Sequence, residues 1–319
     1  MPAARTARNK QDMHPGKKRD RRRGSPAVCA LLIVLFSVTG FDARAGAIDP
    51  VWDRVTSGIM ATLWDPAPAC PDIPPLLMLQ IDPERFRFSV RQFRDTGLAA
   101  PPTITEWQRH TDGYVLFNAG LFREDYSYLG VLMTEGRPLG GKRHHSWQGL
   151  FAAEPTEPAQ RKARVLDLAF DTFPEEYRHF PYREAAQSLM LLDRTGKPRV
   201  RPSGKRAHQT IVAEDGEGKI VVMKSAGPAP LYGLAECLRD TQPNIRQAMA
   251  MDGGSSSDVI ASPELLGVVP DTGKRPEWRS MLEGHATHHI GLPAVIAVLP
   301  RITAHPPDRT TAQHTRPAR

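Results

Sequence analysis

The sequence predicts an α+β (mixed α/β) fold, a single domain around a largely antiparallel or mixed sheet with a few flanking helices. Two observations carry this. Apolar runs of strand length recur along the chain between turn-forming residues, whereas helical periodicity is confined to short segments scattered among them. About 250 residues between Ile48 and Arg301 also suffice for one sizeable core.

Taken in order, Leu76–Ile81 is an apolar run, and residues 85–91 alternate strictly, the mark of a half-buried strand. Asp82-Pro83-Glu84 between them predicts a tight hairpin. Residues 104–110 have weak helical spacing. The strand 114–117 leads directly into Asn118-Ala119-Gly120, and 128–133 and 165–170 are further strands. Residues 175–183 are expected as a helix. Strands 210–213 and 219–223 flank Glu214-Asp215-Gly216-Glu217-Gly218, a hairpin signal. Leu231, Leu234, Ala235 and Leu238 follow helical spacing behind Pro228 and Pro230. The last apolar run, 289–299, is interrupted by Pro293, which suits an edge strand or a bend.

Residues 1–45 read as an export signal. Lys17, Lys18, Arg19 and Arg21-Arg22-Arg23 form a basic region, 26–39 an apolar core, and Ala43-Arg44-Ala45 a small-x-small cleavage pattern. The apolar core is shorter than the roughly 20 residues of a membrane-spanning helix. An uncleaved anchor is the alternative, and Met13 is an alternative start. Residues 46–75 are expected as a lead-in, 76–301 as the functional domain, and 302–319, rich in Thr, Pro, His and Arg, as a disordered tail. The expected location is periplasmic or extracellular.

The chain carries 42 Lys and Arg against 35 Asp and Glu, a net charge of +7. Ten of those bases and three of those acids fall in residues 1–45, so the remainder is neutral. Nothing argues for a nucleic-acid partner, or for a membrane partner once the signal is removed. Cys70 and Cys237 remain beyond the signal, which permits a disulfide in an oxidising compartment without proving contact.

Four polar clusters carry chemistry. Met251-Asp252-Gly253-Gly254-Ser255-Ser256-Ser257 delivers a carboxylate from an apolar run into a glycine-rich turn with three hydroxyls. Asn118-Ala119-Gly120-Leu121-Phe122 is a second polar turn after a strand, with Glu124 and Asp125 just beyond. Gln187-Ser188 precedes an apolar run, and Arg206-Ala207-His208-Gln209 precedes a strand. Each alone is also compatible with an ordinary surface turn.

Together, in this order, the four clusters resemble the phosphodiester glycosidase family. Asn118 to Phe122, Gln187-Ser188 and Met251 to Ser256 match its boxes, and Glu124-Asp125-Tyr126 with Gly130 is similar to its bacterial branch. The Arg206 segment matches imperfectly, with Ala207-His208-Gln209 in place of the usual residues. The likeness spans about 76–300. It implies an exported hydrolase cleaving the glycosidic bond of a sugar-1-phosphodiester in an envelope or extracellular glycan. Asp252 is the first catalytic candidate, with Glu124 or Asp125 as second carboxylate. Asn118, Gly120, Gln187, Ser188, Arg206, Gly253, Gly254 and Ser255 are candidate ligands for a sugar phosphate. No cofactor or metal is called for, although Asp252 as a metal ligand or as a turn cap stays open.

Two rivals remain. A periplasmic glycan- or glycophosphate-binding protein would keep these loops without turnover. A serine hydrolase is suggested by Gly253-Gly254-Ser255-Ser256-Ser257, but a nucleophile elbow needs glycine where Ser257 stands. His285, His288 and His289 have metal-like spacing but no matched acid, which favours a surface loop.

Overall fold

Apolar side chains alternate along the strands and face two different partners, which divides the β structure into two packed sheets. The computed structural model describes residues 49–269, 276–284 and 290–301. The expected signal 1–45, the expected tail 302–319 and His285, His288 and His289 lie outside them.

The strands of the first half are β1 (Asp53–Thr56), β2 (Ile59–Trp64), β3 (Leu76–Ile81), β4 (Phe86–Gln92), β5 (Val115–Asn118), β6 (Leu132–Thr134), β7 (Arg137–Pro138), β8 (Gly149–Pro155) and β9 (Ala163–Asp167). Those of the second half are β10 (Tyr182–Leu192), β11 (Arg206–Ala207), β12 (Thr210–Asp215), β13 (Ile220–Ser225), β14 (Ala229–Pro230), β15 (Ile245–Ala250), β16 (Val259–Ala261) and β17 (Ala294–Pro300). The helices are α1 (Ile104–His110), α2 (Leu231–Thr241), α3 (Pro263–Gly267) and α4 (Glu277–Leu282).

The larger sheet has 11 strands, ordered β1-β2-β3-β13-β12-β15-β10-β6-β7, with β8 pairing both β10 and β9. The smaller sheet runs β16-β5-β17-β4. All pairings among the described residues are antiparallel. The sheet-rich character expected from the sequence is therefore present, as two packed sheets and a two-stranded β11–β14 pair rather than one sheet.

Period-two burial explains the layering. Leu77, Leu79 and Ile81 of β3 and Ile220 and Val222 of β13 meet Phe86, Phe88 and Val90 of β4, and Phe88 contacts Phe151 of β8 edge-on at 5.2 Å. The opposite faces of the larger sheet, including Met78, Met223 and Ala250, pack under Leu234, Ala235 and Leu238 of α2. The outer face of the smaller sheet, including Leu116, Val295 and Ala297, packs under Ile104 and Trp107 of α1. Thr103 caps α1 by accepting the Glu106 N–H while the Glu106 carboxylate accepts the Thr103 N–H.

Three local expectations give way, and a fourth resolves between its alternatives. Residues 82–85 make no hairpin, because β3 and β4 belong to different sheets; the turn, closed by Asp82 O accepting from Phe86 N at 3.0 Å, carries the chain across the sandwich. Residues 175–183 form only a 3₁₀ turn, Tyr177–His179, before β10 begins at Tyr182. Pro181 cannot continue a helix, and Phe180 and Tyr182 are drawn into an apolar cluster with Val131 and Leu166. Of the two alternatives for Pro293 the bend holds: it lies in a bend just before the interior strand β17, where its missing N–H breaks no ladder bond. Finally, β1 and β2 lie within residues 46–75, so the sheet begins upstream of Leu76.

The outward N–H groups of edge strand β4 are capped by carboxylates from the larger sheet. Glu154 accepts from Phe88 N at 3.2 Å, and Glu184 accepts from Val90 N at 2.7 Å and Glu135 N at 2.9 Å. Burial pushes the Glu184 carboxyl up to about 7, against the opposing pull of these hydrogen bonds. A folded-state value above the ordinary 4.5 favours the protonated form in the fold. Its stabilisation is fully present below about pH 4.5 and is lost as pH rises through about 7, a change of roughly 3 kcal/mol. Denaturant unfolding of wild type should therefore show stability falling between pH 5 and pH 8, with a flatter profile in Glu184→Gln. An unchanged slope in the variant would assign the pH dependence elsewhere.

Candidate functional site

The glycine-rich heptad is the crossover from the larger sheet to the smaller one, running from the end of β15 to the start of β16. Met251 N still donates to Thr210 O of β12 at 2.8 Å, after which Asp252 N turns to Ala119 O at 3.2 Å. Glycine is needed twice in the turn that follows. A Cβ on Gly253 would lie 3.0 Å from His208 O, and Gly254 has a φ of +71°. Gly254 N donates to His208 O at 2.8 Å, and a 3₁₀ turn, Gly254–Ser256, closes the loop.

Asn118, the last residue of β5, holds both ends of this loop. Its Nδ2 donates to Asp252 O at 2.8 Å, and its Oδ1 accepts from Asp258 N at 3.0 Å. The loop is fastened to the larger sheet as well. Ser257 Oγ meets Thr210 Oγ1 at 2.8 Å, and Lys224 Nζ, on the residue opposite Thr210 in β13, pairs with Asp258 Oδ1 at 2.8 Å. The ion pair is nearly buried, so removing either partner would leave an uncompensated charge.

Asp252 is half-buried inside this frame. Burial pushes its carboxyl above the ordinary 3.8, although hydrogen bonds from the Ser256 hydroxyl and the Gly253 amide pull the other way. A carboxyl that retains its proton above the usual range and sits in a rigid turn is suited to acid–base work. Beside it, the buried Tyr128 hydroxyl accepts from Gly120 N at 2.9 Å and donates to Gln187 O at 2.8 Å. Burial, and secondarily the charge of Asp252, push this phenol well above its ordinary value, so it stays protonated as a strut.

Several predicted ligands prove to be engaged by the fold. A Cβ on Gly120 would lie 2.4 Å from Tyr128 Oη, so this glycine serves close packing. The Gly253 amide serves Asp252, and the Gly254 amide serves His208 O. Arg206 is exposed, and its Nη2 donates to Asp72 O at 2.8 Å and Pro228 O at 3.1 Å. Ser188 is fully buried, and its hydroxyl has no hydrogen-bond partner among the described residues. Ser255 is exposed on the loop. Glu124 and Asp125 lie exposed on the turn between the bridged residues Phe122 and Tyr128. The Asp125 carboxylate accepts from Ser127 N and Oγ at 2.9 and 2.6 Å, which hold it below the ordinary carboxylate range.

Gln187 is the most occupied of these side chains. Its Oε1 accepts from Val131 N at 3.0 Å and His144 N at 2.9 Å, and its Nε2 donates to His144 O at 2.8 Å and Trp147 O at 2.6 Å. A Cβ on Gly130 would lie 2.5 Å from that Oε1. One buried amide thus fixes the segment 144–147 against β10. Gln187→Ala should destabilise the fold by about 3 kcal/mol, because buried main-chain groups lose their partners. Equilibrium unfolding checks this, and a loss under about 0.5 kcal/mol, the surface-substitution level, would contradict it.

Tyr128, Thr210, Lys224 and Asp258 join the site without having been singled out in the sequence. Lys224 and Thr210 look there like ordinary strand residues, and only cross-strand register places them under the loop. Among the described residues, no three His, Cys, Asp or Glu side chains converge as a metal site.

A family model described as phosphodiester glycosidase matches residues 112–280, more than half of the chain. The fold is similar to the catalytic domain of zebrafish N-acetylglucosamine-1-phosphodiester alpha-N-acetylglucosaminidase, auto-inhibited by its pro-peptide. That likeness has a TM-score of 0.50 and 14% identity over 72% of this chain and 78% of that one. It is also similar to a hypothetical protein from Synechocystis, with a TM-score of 0.52 and 14% identity over 81% of this chain and 65% of that one. A search of curated proteins gives no match. The matched span contains the Asn118 turn, Gln187, the Asp252 loop and the strands that hold them together. The chain belongs to the phosphodiester glycosidase family.

Proposed function

We propose that this protein is an exported hydrolase that cleaves the glycosidic bond of a sugar-1-phosphodiester carried by an envelope or extracellular glycan. The observation that carries the proposal is Asp252, half-buried with a raised pKa in a loop pinned at both ends by Asn118. Export is supported by the basic-then-apolar pattern of residues 1–45 and by the Cys70–Cys237 disulfide, which suits an oxidising compartment. Among the described residues, no helix is long and apolar enough to cross a membrane.

In the proposed reaction, water oxygen bonds to the anomeric carbon, and the bond from that carbon to the phosphate oxygen breaks. The phosphate monoester departs with the bonding electron pair, and the water proton passes to the Asp252 carboxylate. Phosphate leaves readily as an anion, so the demand falls on activating water and stabilising positive charge at the sugar carbon. Glu124, exposed beyond the Asn118 turn, is the proposed second carboxylate.

The first probe is an N-acetylglucosamine-1-phosphodiester, the linkage named for the zebrafish enzyme. Release of free sugar by wild type, absent in Asp252→Ala, supports hydrolysis; binding without turnover by wild type would favour the glycan-binding alternative. The serine hydrolase finds little support, since Ser256 serves Asp252 and Ser257 meets Thr210. Fluorophosphonate labelling should give no adduct.

A further inference from the structure

Beside Tyr128 opens a cleft of about 380 Å³ whose lining includes Arg123, Lys142, Arg143, His144 and His145 and contains no Asp or Glu. Most basic side chains lining buried parts of the fold are paired: Arg161 and Arg164 with Glu214, Arg199 with Asp167 and Asp193, and Arg301 with Glu154. Arg123, Lys142 and Arg143 form no ion pair among the described residues. The nearby Asp125 does not neutralise the cleft by contact, because its carboxylate is held by Ser127. Asp125 attracts Arg123 electrostatically without pairing with it, while Lys142 and Arg143 leave the cleft with an excess of positive charge that an anion would relieve.

The main chain beneath the cleft is fixed by the fold, and Arg123 and Lys142 reach it as exposed side chains. Gln187 fixes the His144 main chain from both sides, and Arg143 Nη2 donates to Leu168 O at 2.7 Å. Gly130 lets the chain pass against Gln187, and a Cβ on Gly140 would lie 2.6 Å from Gly130 O. The His144 ring stacks on Trp147 at 4.0 Å, and its Nδ1 has no hydrogen-bond partner among the described residues. Tyr128 is common to both places: it lines the cleft, and its hydroxyl lies in the field of Asp252.

We propose that this cleft, which shares Tyr128 with the Asp252 site, is an anion subsite that takes a phosphate group of the glycan ligand. The proposal rests on the sugar-phosphodiester reading of the same site. Two guanidinium groups, an ammonium and two imidazoles lining one cleft suit a tetrahedral oxyanion, whereas a planar carboxylate is satisfied by one guanidinium fork.

The test is titration calorimetry with N-acetylglucosamine 1-phosphate, with glucuronate as the carboxylate control. Arg123→Gln/Lys142→Gln removes two exposed charges, and its Kd for the sugar phosphate should rise at least about tenfold, with restoration in Arg123→Lys/Lys142→Arg. Unchanged circular dichroism and melting would show the fold is intact. An unaltered Kd in the Gln pair overturns the subsite, and so does glucuronate binding to wild type as tightly as the sugar phosphate. Failure of the hydrolase reading looks different: wild type turns over no sugar-1-phosphodiester, yet its sugar-phosphate affinity still depends on Arg123 and Lys142.

Discussion

Asp252→Asn is expected to lower turnover of a sugar-1-phosphodiester by about 10²–10⁴-fold, the usual contribution of a positioned general base. The substitution keeps the shape of the side chain within the turn and removes the charge. Because burial holds the Asp252 carboxyl above its ordinary range, the fold prefers the neutral form. The sign follows: stability contributed by this group is present below the ordinary value of 3.8 and is lost as pH rises through the raised value. At neutral pH the Asn variant should therefore melt at or above the wild-type temperature while losing activity. For the same reason the acid limb of the wild-type rate profile should lie above the usual Asp range, with activity rising as Asp252 ionises. Full activity in Asp252→Asn, or an acid limb that is unchanged in the variant, would remove Asp252 from the chemistry.

The second large effect concerns the fold. Replacing both Cys70 and Cys237 by Ser should reduce stability by about 3–5 kcal/mol, the scale expected when a long loop is released from the unfolded chain. The bridge joins residues 167 apart, with Cα atoms 5.8 Å apart. Cys237 is buried on α2 among Leu76, Ala229 and Leu238, while Cys70 lies in the turn that accepts from Ile73 N at 3.0 Å. Arg206 holds the same turn through Asp72 O, so loosening it also frees the β11–β14 pair. Reducing agent should lower the melting temperature of wild type and leave the Ser pair unaffected. If reductant shifts both equally, the disulfide does not carry this stability.

Strand identity was largely legible in the sequence, because alternation at 85–91 and the apolar runs at 76–81, 210–213 and 219–223 report burial directly. Their partners were not. The turn at 82–85 resembles a hairpin by composition, yet whether adjacent strands pair or cross to another sheet depends on contacts far away in sequence. The helix expected at 175–183 failed for a local reason, Pro181, which cannot continue a helix. In the site, the Asn118 turn and the Asp252 loop were visible as polar turns after strands, and the fold joins them through the Asn118 side chain and main-chain hydrogen bonds. Glycines and amides that look available in sequence are engaged by Tyr128, His208 and Asp252 instead. Lys224 and Asp258 could not be found, since an ion pair between residues on β13 and beside β16 is a property of the sandwich.

The proposed hydrolysis breaks the bond between the sugar carbon and the phosphate oxygen. Hydrolysis of an N-acetylglucosamine-1-phosphodiester in ¹⁸O-labelled water, followed by mass spectrometry of both products, tests it directly. The label is expected in the anomeric hydroxyl of the released sugar, with the phosphate monoester unlabelled. Label in the phosphate would show cleavage between phosphorus and oxygen and contradict glycosidic hydrolysis.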